Sequence, residues 1–267
     1  MRVVALTFHD VVTDQQGNPP QANRLQADVL YSIRAGELET LLSQLRKLGY
    51  RTVSSRSFRA WQQRTGVLPE RTVVLTFDDG YVSHFDVVVA MLLRYRFSGT
   101  FFVSVDLIGQ PGYMTWEQLR KLVFLGMEVG SHGTSHRPLT ALSRLELDVE
   151  LADSKRILEE RLGVPVRALA APGGFWNGTI AEAAQRVGYD AIWISTIGTN
   201  GRETQPLGLR RVVVRQPFSS ERIISMVQGW RPAFWWAANQ QLLIRALKRM
   251  LGVYWYERLK HRLVPHA

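Results

Sequence analysis

The stretch Val73-Val74-Leu75-Thr76-Phe77-Asp78-Asp79-Gly80 decides the fold, because a buried strand runs straight into two carboxylates and a glycine. Five apolar or β-branched residues without polar alternation read as a strand covered on both faces, the habit of parallel sheets. The same pattern recurs on either side. Val3 to Phe8 stops at His9, Glu128 to Gly130 leads into Ser131 and His132, and Ala168 to Ala171 leads into Pro172, Gly173 and Gly174. Thr100 to Val103, Ala191 to Ser195 and Arg211 to Val214 are further strand candidates.

Between these runs the apolar period lengthens to that of helices. Glu37 to Leu48 places Leu38, Leu41, Leu42, Leu45 and Leu48 on one face and stops at Gly49. A helix is expected through Val87 to Tyr95. Thr115 with Gln118 and Ser143 with Glu146 are capping boxes, the first opening a helix to Leu125, the second a long one to Leu162. Thr179 to Val187 and Ser219 to Val227 complete the set. Strands alternating with helices predict βα units, and about seven of them predict an α/β fold of one catalytic domain, a distorted (β/α)7–8 barrel over residues 1–228.

Composition narrows the chemistry. The chain has 267 residues, enough for one large barrel, and no cysteine, so any metal must rest on His, Asp or Glu. Hydrophobic residues at 46% and charged residues at 21% are the balance of a soluble globular protein. The N-terminal apolar run is too short for a signal-peptide core, and no uncharged stretch reaches the roughly 20 residues of a spanning helix. A cytoplasmic location follows as an expectation. The net charge of +10 is spread over scattered Lys and Arg without a nucleic-acid motif, so no nucleic-acid partner is expected.

One compositional boundary falls near Gly229. Beyond it, over residues 229–267, Trp230, Trp235, Trp236 and Trp255 mix with Arg and Lys in a basic, aromatic, amphipathic extension. It suits either packing under the barrel or peripheral contact with the inner membrane face.

The polar residues at successive strand ends carry the chemistry, since in a barrel the carboxyl ends of strands converge on one face. His132 and His136, spaced i and i+4, share one side of a helical turn and can share a metal. Asp78 or Asp79 is the natural third ligand. Two histidines and a carboxylate favour zinc, with cobalt, nickel or iron also fitting. Neighbouring residues on an extended segment point opposite ways, so one aspartate ligates and the other is left to act as base. That divergence disfavours a glycosidase, whose carboxylates must face each other.

These residues resemble the polysaccharide deacetylases, carbohydrate esterase family four. The TFDDG of Thr76 to Gly80, the SHGTSH of Ser131 to His136, the Pro172-Gly173-Gly174 turn, and Asp190 with Trp193 are similar to four of the family's motifs, over about residues 1 to 215. The resemblance implies metal-dependent removal of acetyl groups from N-acetylated amino sugars in a polysaccharide or lipid-linked saccharide. It implies Asp78 as base, Asp79, His132 and His136 as metal ligands, Pro172 and Gly173 as part of the substrate cradle, the Gly173 N–H as oxyanion donor, and Trp193 as a wall of the acetyl pocket.

Two departures stand out. The family's third motif begins with an arginine that pairs with the base; Ala170 stands there, leaving Arg210 or Arg211 to substitute. The family's C-terminal histidine is also missing. His84 reads as a solvated helix residue, and His261 and His266 lie in the tail, so His9 is the expected general acid, as in the branch acting on poly-N-acetylglucosamine. The alternative is a catalytically inactive glycan-binding barrel at a membrane surface.

Overall fold

A computed structural model of the chain describes residues 1–13, 31–215 and 218–229, with Pro232 and Phe234. Its strands are β1 (Val4–Phe8), β2 (Val11–Val12), β3 (Ile33–Arg34), β4 (Arg51–Val53), β5 (Thr72–Phe77), β6 (Thr100–Val103), β7 (Glu128–Ser131), β8 (Ala168–Ala170), β9 (Ala191–Ile194), β10 (Leu209–Arg210) and β11 (Val212–Val213). Nine of them form one parallel sheet in the order β10-β9-β8-β7-β6-β5-β1-β11, with β4 also on β5. The remaining two, β2 and β3, pair beside it.

The sheet closes on itself almost completely. Strand β10 is on the β9 edge and β11 on the β1 edge, and a single residue, Arg211, separates the two. Its backbone N–H donates to Thr196 O at 3.1 Å. Arg211 therefore occupies the seam of a nearly closed barrel, the (β/α) architecture expected from the alternating pattern.

Helices clothe the outside, as parallel strands require. Thr115 and Ser143 cap Trp116–Phe124 and Arg144–Leu162 through the expected capping boxes, and Gly163 and Gly188 end their helices in the left-handed conformation. The outward face of the sheet meets them with large side chains: the ring of Phe77 stacks on Phe8 at 5.4 Å and on Phe101 at 4.8 Å. Each fully buried ring of this kind stabilises the fold by about 1.5–3 kcal/mol.

The lumen is graded from apolar to polar. At its lower end Ala5, Val74, Ala168, Ala170 and Ala191 leave room for two large side chains, Phe102 and Trp193. Gly130 is what admits Phe102, because a Cβ there would lie 2.5 Å from its ring. A helix not anticipated from the sequence, Ser55–Gln62, plugs the bottom with Phe58 and Trp61. Higher up, Thr7 and Thr76 share a hydroxyl hydrogen bond of 3.0 Å. The polar end is the carboxyl end of the strands, where the functional candidates gather.

The C-terminal extension beyond Gly229, and with it the expected membrane contact, lies outside the described residues apart from Pro232 and Phe234. Among the described residues no helix is long and apolar enough to cross a membrane.

Candidate active site

Asp78 continues the inward alternation of Val74 and Thr76. Its N–H donates to Phe8 O at 2.9 Å, and its carboxylate turns into the lumen. There Arg211 Nη1 donates to Asp78 Oδ1 at 2.7 Å and to Thr76 Oγ1 at 3.3 Å. Both side chains are sequestered, 0% exposed for Arg211 and 4% for Asp78. Burial alone pushes the Asp78 carboxyl up, but the guanidinium, with His132 and His9 adding to it, outweighs burial and holds it below its ordinary range. Of the two arginines open to the role, the seam residue takes it.

Asp79 turns the other way. Its φ of 75° is in the left-handed region, followed by Gly80 at 83°, where a Cβ would come 3.0 Å from Val103 Cγ1. The divergence of the two carboxylates thus comes from a tight turn, not from extended backbone, and aspartate is among the residues that tolerate such a φ. Asp79 Oδ1 lies 3.2 Å from His132 Nε2 and 3.0 Å from His136 Nε2. Burial pushes this carboxyl up too, but the hydrogen bonds from His132 and His136 outweigh it and hold the group well below the usual carboxylate range.

His132 is buried at the end of β7, with Nδ1 2.8 Å from Ala170 O. A carbonyl only accepts, so Nδ1 carries a proton, and Nε2, the ring nitrogen turned to Asp79, is the one a metal would use. His136 reaches the same place by a different route from the one its spacing predicts. Residues 132–136 are a loop, not a helical turn, and His136 has a left-handed φ of 59°. The two imidazole centroids are 5.1 Å apart.

The loop is anchored by a residue that sequence reading passed over. Glu150 Oε1, on the helix Arg144–Leu162, accepts from Thr134 N and Ser135 N, both at 2.7 Å, while its Oε2 accepts from Ser135 Oγ at 2.9 Å. Nothing in the spacing of Glu150 distinguishes it from the other acids of that helix.

A metal would find a coherent donor set here. The ligand atoms of Asp79, His132 and His136 all lie within 4.8 Å of one another. The backbone bond that fixes the His132 tautomer is the arrangement that holds a ligating imidazole, and two imidazoles with one carboxylate suit a borderline ion such as zinc.

His9 follows β1 as a half-buried residue, its ring 5.1 Å from that of Tyr31. The segment around it is pinned from below: His84 Nε2 donates to His9 O at 2.8 Å, and Ser83 Oγ donates to Asp10 Oδ1 at 2.7 Å. His84 is consequently not the solvated residue expected. It is fully buried on a π-helical turn, His84–Val88, among Phe77, Tyr81 and Phe101, and burial lowers its pKa so that it serves as a neutral donor.

Two further expectations are corrected. Trp193 does not wall a pocket: it is 0% exposed, packs on Phe58 in the lower lumen, and donates from Nε1 to Ser55 Oγ at 2.7 Å. Asp190 precedes β9, at the opposite end of the barrel from the site, with Arg59 and Arg167 each 4.0 Å away. Pro172 is buried and Gly173 exposed at the end of β8, next to the strand that carries His132. Gly173 and Gly174 have φ values of 66° and 71°, and a Cβ on Gly174 would come 2.8 Å from Ser195 N.

Fold and cluster together define a (β/α)-barrel protein whose polar site gathers at the carboxyl ends of its strands. Residues 65–192, a little under half of the chain, match the family model for polysaccharide deacetylase. The chain is 25% identical over 195 residues to YxkH of Bacillus subtilis, which covers 73% of this chain and 70% of that protein. It is also 25% identical over 205 residues to the poly-β-1,6-N-acetyl-D-glucosamine N-deacetylase of Escherichia coli K12, covering 61% of this chain but only 30% of that protein. In fold it is similar to the Streptococcus pyogenes deacetylase PplD in complex with acetate, with a TM-score of 0.76 and 22% identity over 85% of this chain and 98% of the other.

Proposed function

We propose that the protein is a metal-dependent N-deacetylase acting on N-acetylglucosamine-type units of a polysaccharide or lipid-linked saccharide. The observation that carries this reading is the convergence of Asp79, His132 and His136 within 4.8 Å beside a separate carboxylate, Asp78, held by its own arginine. The named activity of the Escherichia coli relative supports the sugar class.

Asp79, His132 Nε2 and His136 Nε2 would hold the divalent ion, most suitably zinc, with cobalt, nickel or iron compatible. When bound, such an ion supplies Lewis acidity at the acetyl carbonyl. Asp78, kept ionised by Arg211, accepts a proton from the attacking water as its oxygen bonds to the carbonyl carbon. The exposed Gly173, on its left-handed turn, offers its N–H to the developing oxyanion, a role that needs a donor already in place. His9 then donates a proton to the sugar nitrogen as the C–N bond breaks, releasing acetate and a free amine.

The inactive-barrel alternative drew its force from the missing arginine at position 170. Arg211 removes that objection. The test is acetate release from polymeric, oligomeric and lipid-linked N-acetylhexosamines, with and without chelator, by wild type and Asp78→Asn. Activity is expected to vanish on chelation, return with zinc, and fall about 10²- to 10⁴-fold in the variant. Full activity in either chelated protein or variant refutes the reading.

A further inference from the structure

We infer that Glu150 is a positioning residue that sets the metal affinity of the site by fixing the loop between its two histidine ligands. The inference rests on the proposed ligand set and goes beyond it, to a residue that touches neither ion nor substrate.

The two imidazoles stand on very different footings. His132 is buried and locked by its bond to Ala170 O, whereas His136 is 41% exposed on its side chain and follows the strand by five residues of irregular backbone. An exposed imidazole on a free loop would sample many positions, and ordering each residue of the loop costs conformational entropy. His136 must also hold a left-handed φ of 59°, a conformation that persists only where the surroundings over-determine it.

Glu150 supplies that determination. One carboxylate accepts three donors from two consecutive residues, Thr134 N, Ser135 N and Ser135 Oγ, at 2.7, 2.7 and 2.9 Å. The hydroxyl of Thr134 adds a bond to the Glu150 backbone carbonyl at 3.1 Å. Ionised acceptors make the stronger hydrogen bonds. Gly133 completes the fit, since at its φ of 80° a Cβ would stand 2.7 Å from Glu150 Oε1. The loop is thus fastened to the rigid helix Arg144–Leu162 immediately before His136, so that His136 Nε2 is presented to Asp79 before any ion arrives.

The measurement is zinc affinity of the full-length protein by competition with a chromophoric chelator, with far-UV circular dichroism recorded on each sample. Removing an outer partner of this kind weakens binding about 10- to 100-fold, and that is expected for Glu150→Ala. Glu150→Gln keeps an oxygen for the two N–H donors and is expected to lose less than about 3-fold, a rescue that follows from geometry. Glu150→Asp, charged but one methylene short, is expected to weaken binding about 10-fold and decides the matter if the alanine variant does not fold. His136→Ala serves as the direct-ligand control. A folded Glu150→Ala or Glu150→Asp protein that binds zinc within twofold of wild type, while His136→Ala loses it, overturns the role of Glu150 alone. Wild type that binds zinc no better than His136→Ala overturns the ligand set as well.

Discussion

Replacing Arg211 with methionine tests the electrostatics of the site most sharply. The substitution keeps volume and removes the guanidinium that donates at 2.7 Å to Asp78, leaving a carboxylate 4% exposed without its counter-charge. Breaking a buried pair from one side costs about 3–5 kcal/mol, a large share of the roughly 5–15 kcal/mol that holds a domain together. With a urea m-value of about 2–3 kcal/mol/M, the unfolding midpoint at pH 7 should drop by about 1 to 2.5 M. The pH dependence carries the diagnosis. Asp78 is depressed in the folded wild type, so the pair stabilises above the unfolded carboxylate range and that contribution is lost as pH falls through the folded value. In Arg211→Met the principal charge opposing burial is gone, the carboxyl rises, and protonation relieves the variant at low pH. The gap between wild type and variant should therefore narrow from pH 8 to pH 5. The acid limb of acetate release should move to higher pH, and Asp78→Asn/Arg211→Met should be more stable than Arg211→Met. A gap constant with pH, together with a double variant no better than the single one, refutes the reasoning.

His9→Ala should lower kcat for acetate release about 10²- to 10⁴-fold with KM little changed, as loss of an acid acting late in the reaction requires; an unchanged kcat assigns the proton to another group. Trp193→Ala should destabilise the protein by about 3–5 kcal/mol in chemical denaturation while leaving KM of the folded fraction within threefold of wild type. A large KM change without loss of stability would return Trp193 to the pocket.

How much was legible in advance depended on whether a residue's surroundings were local. The strands announced themselves because Val73 to Phe77 and Val3 to Phe8 are buried on both faces and carry no alternation. The barrel followed from their regular return between amphipathic helices. Asp78, Asp79, His132 and His136 could be found because each stands within a residue or a few of a strand end. The convergence of strand ends also put Arg211 among the candidates for Asp78; what failed was burial decided by distant elements. The helix Ser55–Gln62 has only Phe58 and Trp61 as apolar anchors, and its reason to exist is the open lumen above it. His84 was misread because burial by Phe77, Tyr81 and Phe101 comes from three separate elements. Trp193 was assigned upward when its partner, Ser55, lies below, 138 positions away. The spacing of His132 and His136 suggested a helical turn, and only the acceptors on Glu150 reveal why a loop brings them together.

The seam at Arg211 has a consequence for the order in which the molecule comes into being. Asp78 and its guanidinium partner are 133 positions apart, so ribosomes moving at about 5–20 residues per second leave roughly 7 to 27 seconds between them. During that interval the Asp78 carboxylate has no cation to be buried against, and water must stay with it. The polar end of the lumen can be sealed only by the strand that finishes the barrel, which keeps a half-made chain from presenting the proposed site complete.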